Sequence, residues 1–109
     1  MLLDTTGALE RLGGNEQLYN KILRMFHSEH GGDAQKLDAL LKKGYREDAH
    51  RLAHTIKGTA ASLGGMRLAA AALEVEKTLA NGGSPASHEI LAKLEHELNA
   101  LLQEIQKHI

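Results

Sequence analysis

Apolar positions recur along this chain with a period near 3.6 residues, in segments separated by glycine. The pairs Gly13-Gly14, Gly31-Gly32, Gly64-Gly65 and Gly82-Gly83, with a single Gly44, fall where a helix wants a left-handed terminal residue. The pattern predicts five segments. A short helix runs from Thr5 to Leu12. The second opens at Asn15, a good N-cap, and carries Leu18, Ile22 and Phe26 on one stripe. Beyond Gly31-Gly32, Asp33 can cap a continuation with Leu37, Leu40 and Leu41. Adjacent glycines weaken a helix by roughly 2 kcal/mol, so one kinked helix and two separate helices are both compatible with the pattern. The third segment, Arg46 to Leu63, turns Ala49, Leu52, Ala53, Ile56, Ala60 and Leu63 inward. The fourth, Met66 to Asn81, places Leu68, Ala72, Val75 and Leu79 on one face. The fifth, Ala86 to Lys107, follows Pro85, which suits a first helical turn, and carries Ile90, Leu91, Leu94, Leu98, Leu101, Leu102 and Ile105. Short links between amphipathic helices imply antiparallel neighbours and an all-α, up-down bundle.

Composition supports this picture. Apolar residues make up 42% of 109, and Leu (19) and Ala (15) supply most of them, against 6 Val and Ile together. Straight-chain residues and Ala lose little entropy in a helix, whereas β-branched residues lose more. A chain of this length makes one domain, spanning residues 1–109, with about 65% of its extended surface buried on folding. Thirteen basic side chains oppose fourteen acidic ones, which argues against holding nucleic acid by counterion release. The longest purely apolar run, Leu68 to Leu73, is far short of a membrane span. The opening Met1-Leu2-Leu3-Asp4 lacks the basic start of a signal peptide. With no Cys there is no disulfide framework, thiolate metal site or Cys nucleophile, as expected of a cytoplasmic chain.

Seven His residues are the remaining candidates for chemistry. No phosphate-binding loop or dinucleotide fingerprint is present, and His88-Glu89 lacks the second His of a zinc-protease helix, since Ala92 stands there. His50 and His54, at i and i+4 with Glu47 nearby, share a helix face; a solvated polar face and a zinc site are the alternatives. His27 and His30 form a second such pair. Gly58 is the anomaly: it lies inside the third segment, where it costs about 1 kcal/mol relative to Ala. Tight helix packing is one explanation. The other is that something must approach the His54 ring where a side chain would stand, with Lys57 offsetting the charge of a phosphoryl group on the imidazole.

The run Ala53-His54-Thr55-Ile56-Lys57-Gly58-Thr59-Ala60-Ala61-Ser62-Leu63-Gly64-Gly65 resembles the signature of histidine-containing phosphotransfer (HPt) domains, roughly Ala-His-x-Leu-Lys-Gly-Ser/Thr-Ala-x-x-Leu-Gly-Ala. The likeness continues through Leu68, Ala72 and Val75-Glu76, and upstream through Leu12-Gly13-Gly14-Asn15 and Phe26. Departures are mild: Ile56 for Leu, Gly65 for Ala and Val75 for Leu, with Gly31-Gly32 interrupting a usually long helix. The resemblance implies an antiparallel up-down four-helix bundle with a short extra N-terminal helix. It implies that His54 accepts a phosphoryl group from a receiver-domain aspartyl phosphate and passes it to another receiver. Lys57 would then support the phosphorylated ring and Gly58 give access. Such modules have no kinase activity and no cofactor of their own, any magnesium coming with the partner. Implied partners are receiver domains of response regulators or hybrid sensor kinases, the latter allowing this segment to be the C-terminal domain of a membrane-bound kinase.

Helix register adds one residue. His54 lies ten positions before Gly64 and Glu76 eleven after Gly65, so a hairpin turning there sets them level. Glu76 can then face the ring and hold its tautomer, the alternative being an ordinary surface carboxylate. Leu73 falls off the inward stripe and, with Ala61, Ala70, His50 and Arg51, forms a candidate docking patch. Two further readings stay open: a helical adaptor without chemistry, and a zinc-binding bundle using His50 and His54.

Overall fold

The computed structural model describes residues 2–82 and 88–109. Among them are six helices: α1 (Thr5–Arg11), α2 (Glu16–His30), α3 (Asp33–Lys42), α4 (Arg46–Leu63), α5 (Met66–Ala80) and α6 (His88–His108). The class is all-α. The turn expected around Ser84 and Pro85 lies outside the described residues.

Local chemistry explains the boundaries. Asp4 accepts from the Gly7 N–H at 3.1 Å and Asn15 from the Leu18 N–H at 3.0 Å, each satisfying an orphan donor at a helix start. At Gly31-Gly32 the chain forms two helices, not one. Gly31 keeps helical dihedrals, φ −60° and ψ −28°, while Gly32 opens to φ −98° and ψ 9°. Asp33 then begins α3, and its carboxylate meets His30 Nδ1 at 2.7 Å, so a side-chain pair bridges the break.

The apolar stripes meet in one core, with Phe26, Leu37, Ile56, Leu63, Val75 and Leu98 all at or below 2% exposure. The α4 and α5 stripes fall as the pattern places them, apart from a half-buried Leu52. In α2 the structure corrects the expectation. Tyr19, Leu23 and Phe26 face inward, Ile22 is half-buried and Leu18 is 40% exposed. The reason is the Tyr19 hydroxyl, which donates to the Leu63 carbonyl at 2.8 Å. With its polar tip satisfied, Tyr19 buries its ring and turns Leu18 outward.

α4 and α5 form an antiparallel hairpin: the Arg46 guanidinium, at the start of α4, donates to the Leu79 carbonyl near the end of α5 at 3.0 Å. Gly64 makes the turn with φ +89°, and a Cβ there would also strike the backbone of Asp4. The Asp4 N–H donates to the Gly64 carbonyl at 2.8 Å, tying the N-terminal segment to this corner. α6 packs along α5 and also touches α2 and α3. Across the α5–α6 seam Arg67 donates to Glu97 at 2.8 Å. Glu97 is only 6% exposed, and its second oxygen is buried without a partner among the described residues.

Candidate functional site

The centre of the exposed face of α4 is His54, whose side chain is 64% exposed. Its helix buries Ala53 and Ile56 on either side of it in sequence, so the 3.6-residue period alone turns His54 to solvent. The antiparallel hairpin then brings Glu76 of α5 alongside. His54 Nδ1 lies 2.6 Å from Glu76 Oε2, and Lys57 Nζ donates to Glu76 Oε1 at 2.7 Å. One carboxylate therefore bridges two side chains of α4.

The electrostatics assign the tautomer. The hydrogen bond from Lys57 holds the Glu76 carboxyl below its usual range, opposed by its burial and reinforced by the His54 ring. An ionised Glu76 only accepts, so the Nδ1–H must donate to it. The lone pair then resides on Nε2, which makes no hydrogen bond among the described residues. A neutral imidazole in this tautomer, with Nε2 open, is a nucleophile held in one orientation.

Gly58 follows one turn after His54 on the same exposed face. A Cβ built there meets no heavy atom within 4 Å, so the glycine does not serve helix packing. The surface beside His54 is bare backbone.

An open cleft of about 660 Å³ adjoins the ring, lined by Arg46, Glu47, His50, Arg51, His54, Glu76, Leu79 and Ala80. His50 sits half-buried in it, while Arg51 is exposed and 3.4 Å from Asp48. Of the remaining docking candidates, Ala70 is exposed on α5, and Ala61 and Leu73 are half-buried. Among the described residues no three His, Asp or Glu side chains converge as a metal-binding group. His30 is held by Asp33 and lies against Phe26 with ring centroids 5.2 Å apart.

Two features of this face are absent from the sequence reading. Arg11 of α1 donates to the Ala61 and Ser62 carbonyls at 3.0 and 3.4 Å, capping α4 one turn past Gly58. Leu18 and Met25 of α2, 40% and 46% exposed, share a helix edge with Glu29, which lines a groove with Arg51, Leu52 and Thr55 of α4. The rotation of α2 imposed by Tyr19 produces that exposed edge, and no spacing rule reveals it.

Comparison with curated proteins and with solved structures gave no match. A scan against protein-family models matched the Hpt domain over residues 21–106, which takes in His54, Lys57, Gly58 and Glu76. That match spans most of the chain, and the chain belongs to the Hpt domain family, whose members carry out histidine phosphotransfer in phosphorelay signalling.

Proposed function

We propose that this protein is a phosphorelay intermediate in which His54 accepts a phosphoryl group from the aspartyl phosphate of one receiver domain and passes it to another. The observation that carries the reading is the 2.6 Å contact between His54 Nδ1 and an ionised Glu76 on a side chain 64% exposed. In the forward step the Nε2 lone pair attacks phosphorus, the phosphorus–oxygen bond of the acyl phosphate breaks, and the aspartate leaves as a carboxylate. The return step reverses these bonds. Glu76 orients the ring, Lys57 lies three residues along the same helix to offset phosphoryl charge, and Gly58 leaves space for the donor.

Residues 1–109 act as a single domain, with α2 and α3 counting as one broken rod in an antiparallel up-down four-helix bundle and α1 as the extra helix. The domain supplies no kinase activity and no cofactor; the receiver brings magnesium and the acidic pocket. The receiver contacts His50, Arg51, Ala61, Ala70 and Leu73, and the exposed edge of α2 extends that footprint. Such a module works in the cytoplasm, on its own or at the end of a hybrid sensor kinase. No helix among the described residues is long and apolar enough to cross a membrane.

The test is incubation with a phosphorylated receiver. Wild-type protein should take up acid-labile phosphoryl, and His54→Gln should fold normally and take up none. Label on His54→Gln would overturn the assignment; a wild type that takes up none would favour an adaptor.

A further inference from the structure

We infer that Glu76 keeps the Nδ1 proton on the His54 ring through the whole transfer cycle, so that the phosphorylated ring is an imidazolium and neither step exchanges a proton with water. This rests on His54 being the acceptor, and extends that reading to the phosphorylated state.

The bookkeeping of bonds requires a decision about this proton. Attack by Nε2 on an acyl phosphate spends the lone pair of a ring that already carries N–H at Nδ1. The product is a phosphoimidazolium, positively charged on the ring. In water such a ring sheds its Nδ1 proton as the pH rises through neutrality. Here the Nδ1–H points at Glu76 Oε2, 2.6 Å away, on a carboxylate only 12% exposed. Before phosphorylation Glu76 and Lys57 neutralise each other. Afterwards the phosphoryl group adds two negative charges, and a retained proton adds one positive charge directly against Glu76. Loss of that proton would leave a half-buried carboxylate beside a dianion with Lys57 as the cation bonded to it, the costlier arrangement.

The proton determines how readily the group leaves. When a receiver carboxylate attacks phosphorus, the phosphorus–Nε2 bond breaks and its electron pair returns to the ring. From the imidazolium the leaving group is neutral imidazole with Nδ1–H intact, ready for the next cycle. From the deprotonated ring the leaving group is an imidazolate anion, a far poorer one. Glu76 is thus a positioning residue with a second effect: it sustains phosphoryl lability at neutral pH. Lys57 bonds Glu76 directly, and the cleft that adjoins the ring is also lined by the charged or titratable side chains of His50, Arg51, Glu47 and Arg46 of α4. Of these His50 carries a second imidazole, so a His50→Asn background separates its contribution.

The experiment uses phosphoramidate, a small donor that needs no receiver, to phosphorylate His54 in wild type, Glu76→Gln and Lys57→Gln. Loss of the phosphoryl group is followed across neutral pH, with the Nδ1 protonation state read by nitrogen NMR. Gln at position 76 can still bond either form of Nδ1, so it preserves orientation but removes the preference for the cation. In wild type, Nδ1 should stay protonated and decay stay fast to a pH at least about one unit higher than in Glu76→Gln. At a pH above both midpoints that is roughly a tenfold longer lifetime for the variant. Lys57→Gln, which removes a competing cation from Glu76, should move the profile the opposite way. Superposable profiles for wild type and Glu76→Gln overturn the inference, as does a Lys57→Gln shift toward lower pH. The decay involves no receiver, so it is decided separately from whether a receiver phosphorylates His54.

Discussion

Replacing Gly58 sets two effects of known sign against each other. Gly58 is interior to α4, twelve residues after its start at Arg46 and five before its end at Leu63. A side chain there enters open space, with no heavy atom within 4 Å of the new Cβ. Gly58→Ala therefore gains most of the Gly–Ala helix difference, about 1 kcal/mol, with no packing strain to offset it. For a domain of this size that raises the melting temperature by roughly 4–8 °C. The same methyl projects from the exposed face one turn past His54, where phosphoryl group and receiver must approach. Transfer from a phosphorylated receiver should fall modestly in Gly58→Ala and by at least about tenfold in Gly58→Leu, equivalent to about 1.4 kcal/mol in the barrier. Melting curves and single-turnover transfer rates on the three proteins give both quantities. A loss of stability in Gly58→Ala would refute the open-space argument. A stable, fully active Gly58→Leu protein would refute the access argument.

Three other perturbations test the surrounding network. Lys57→Ala should slow transfer roughly 5- to 30-fold, since a charge-assisted contact near a dianion contributes about 1–2 kcal/mol. Its melting temperature should fall only slightly, because Glu76 keeps its bond to His54; a large drop would make Lys57 chiefly structural. The Glu76 carboxyl is held below its ordinary value of 4.5, so its contribution to stability is present above that pH and is lost as pH falls through the lower, folded-state value. Denaturant melts should show wild type losing its advantage over Glu76→Gln on acidification below about pH 4.5; a gap that widens there would reverse the sign. At the α5–α6 seam, Arg67→Ala removes the hydrogen bond to buried Glu97 and should cost about 1–3 kcal/mol, whereas Arg67→Ala with Glu97→Leu should recover most of it. Urea midpoints for the single and double variants decide this, and an undiminished loss in the double variant would contradict it.

Periodicity and glycine punctuation were enough to read the helices of this chain, because each stripe serves its own helix and each boundary has a local cause, as at Asn15 and Gly64. The exposure of His54 was legible for the same reason, and the residue count across the Gly64-Gly65 turn set Glu76 level with it. Other features depended on contacts between segments distant in sequence. The inward face of α2 was misread by the Leu18–Ile22–Phe26 stripe, because the partner that lets Tyr19 bury is the Leu63 carbonyl, 44 residues away. The continuity of α2 and α3 was undecidable from Gly31-Gly32, whose helical cost is similar for a kink and a break; there the structure sets Gly32 outside helical dihedrals and ties His30 to Asp33. Burial of Glu97 looks in sequence like one more charge on an amphipathic helix, and Arg67 on α5 marks it as paired. The sharing of Glu76 between His54 and Lys57 likewise needed the hairpin. Spacing can align two residues on neighbouring helices, but only packing brings three side chains within hydrogen-bond distance and thereby decides which ring nitrogen is free.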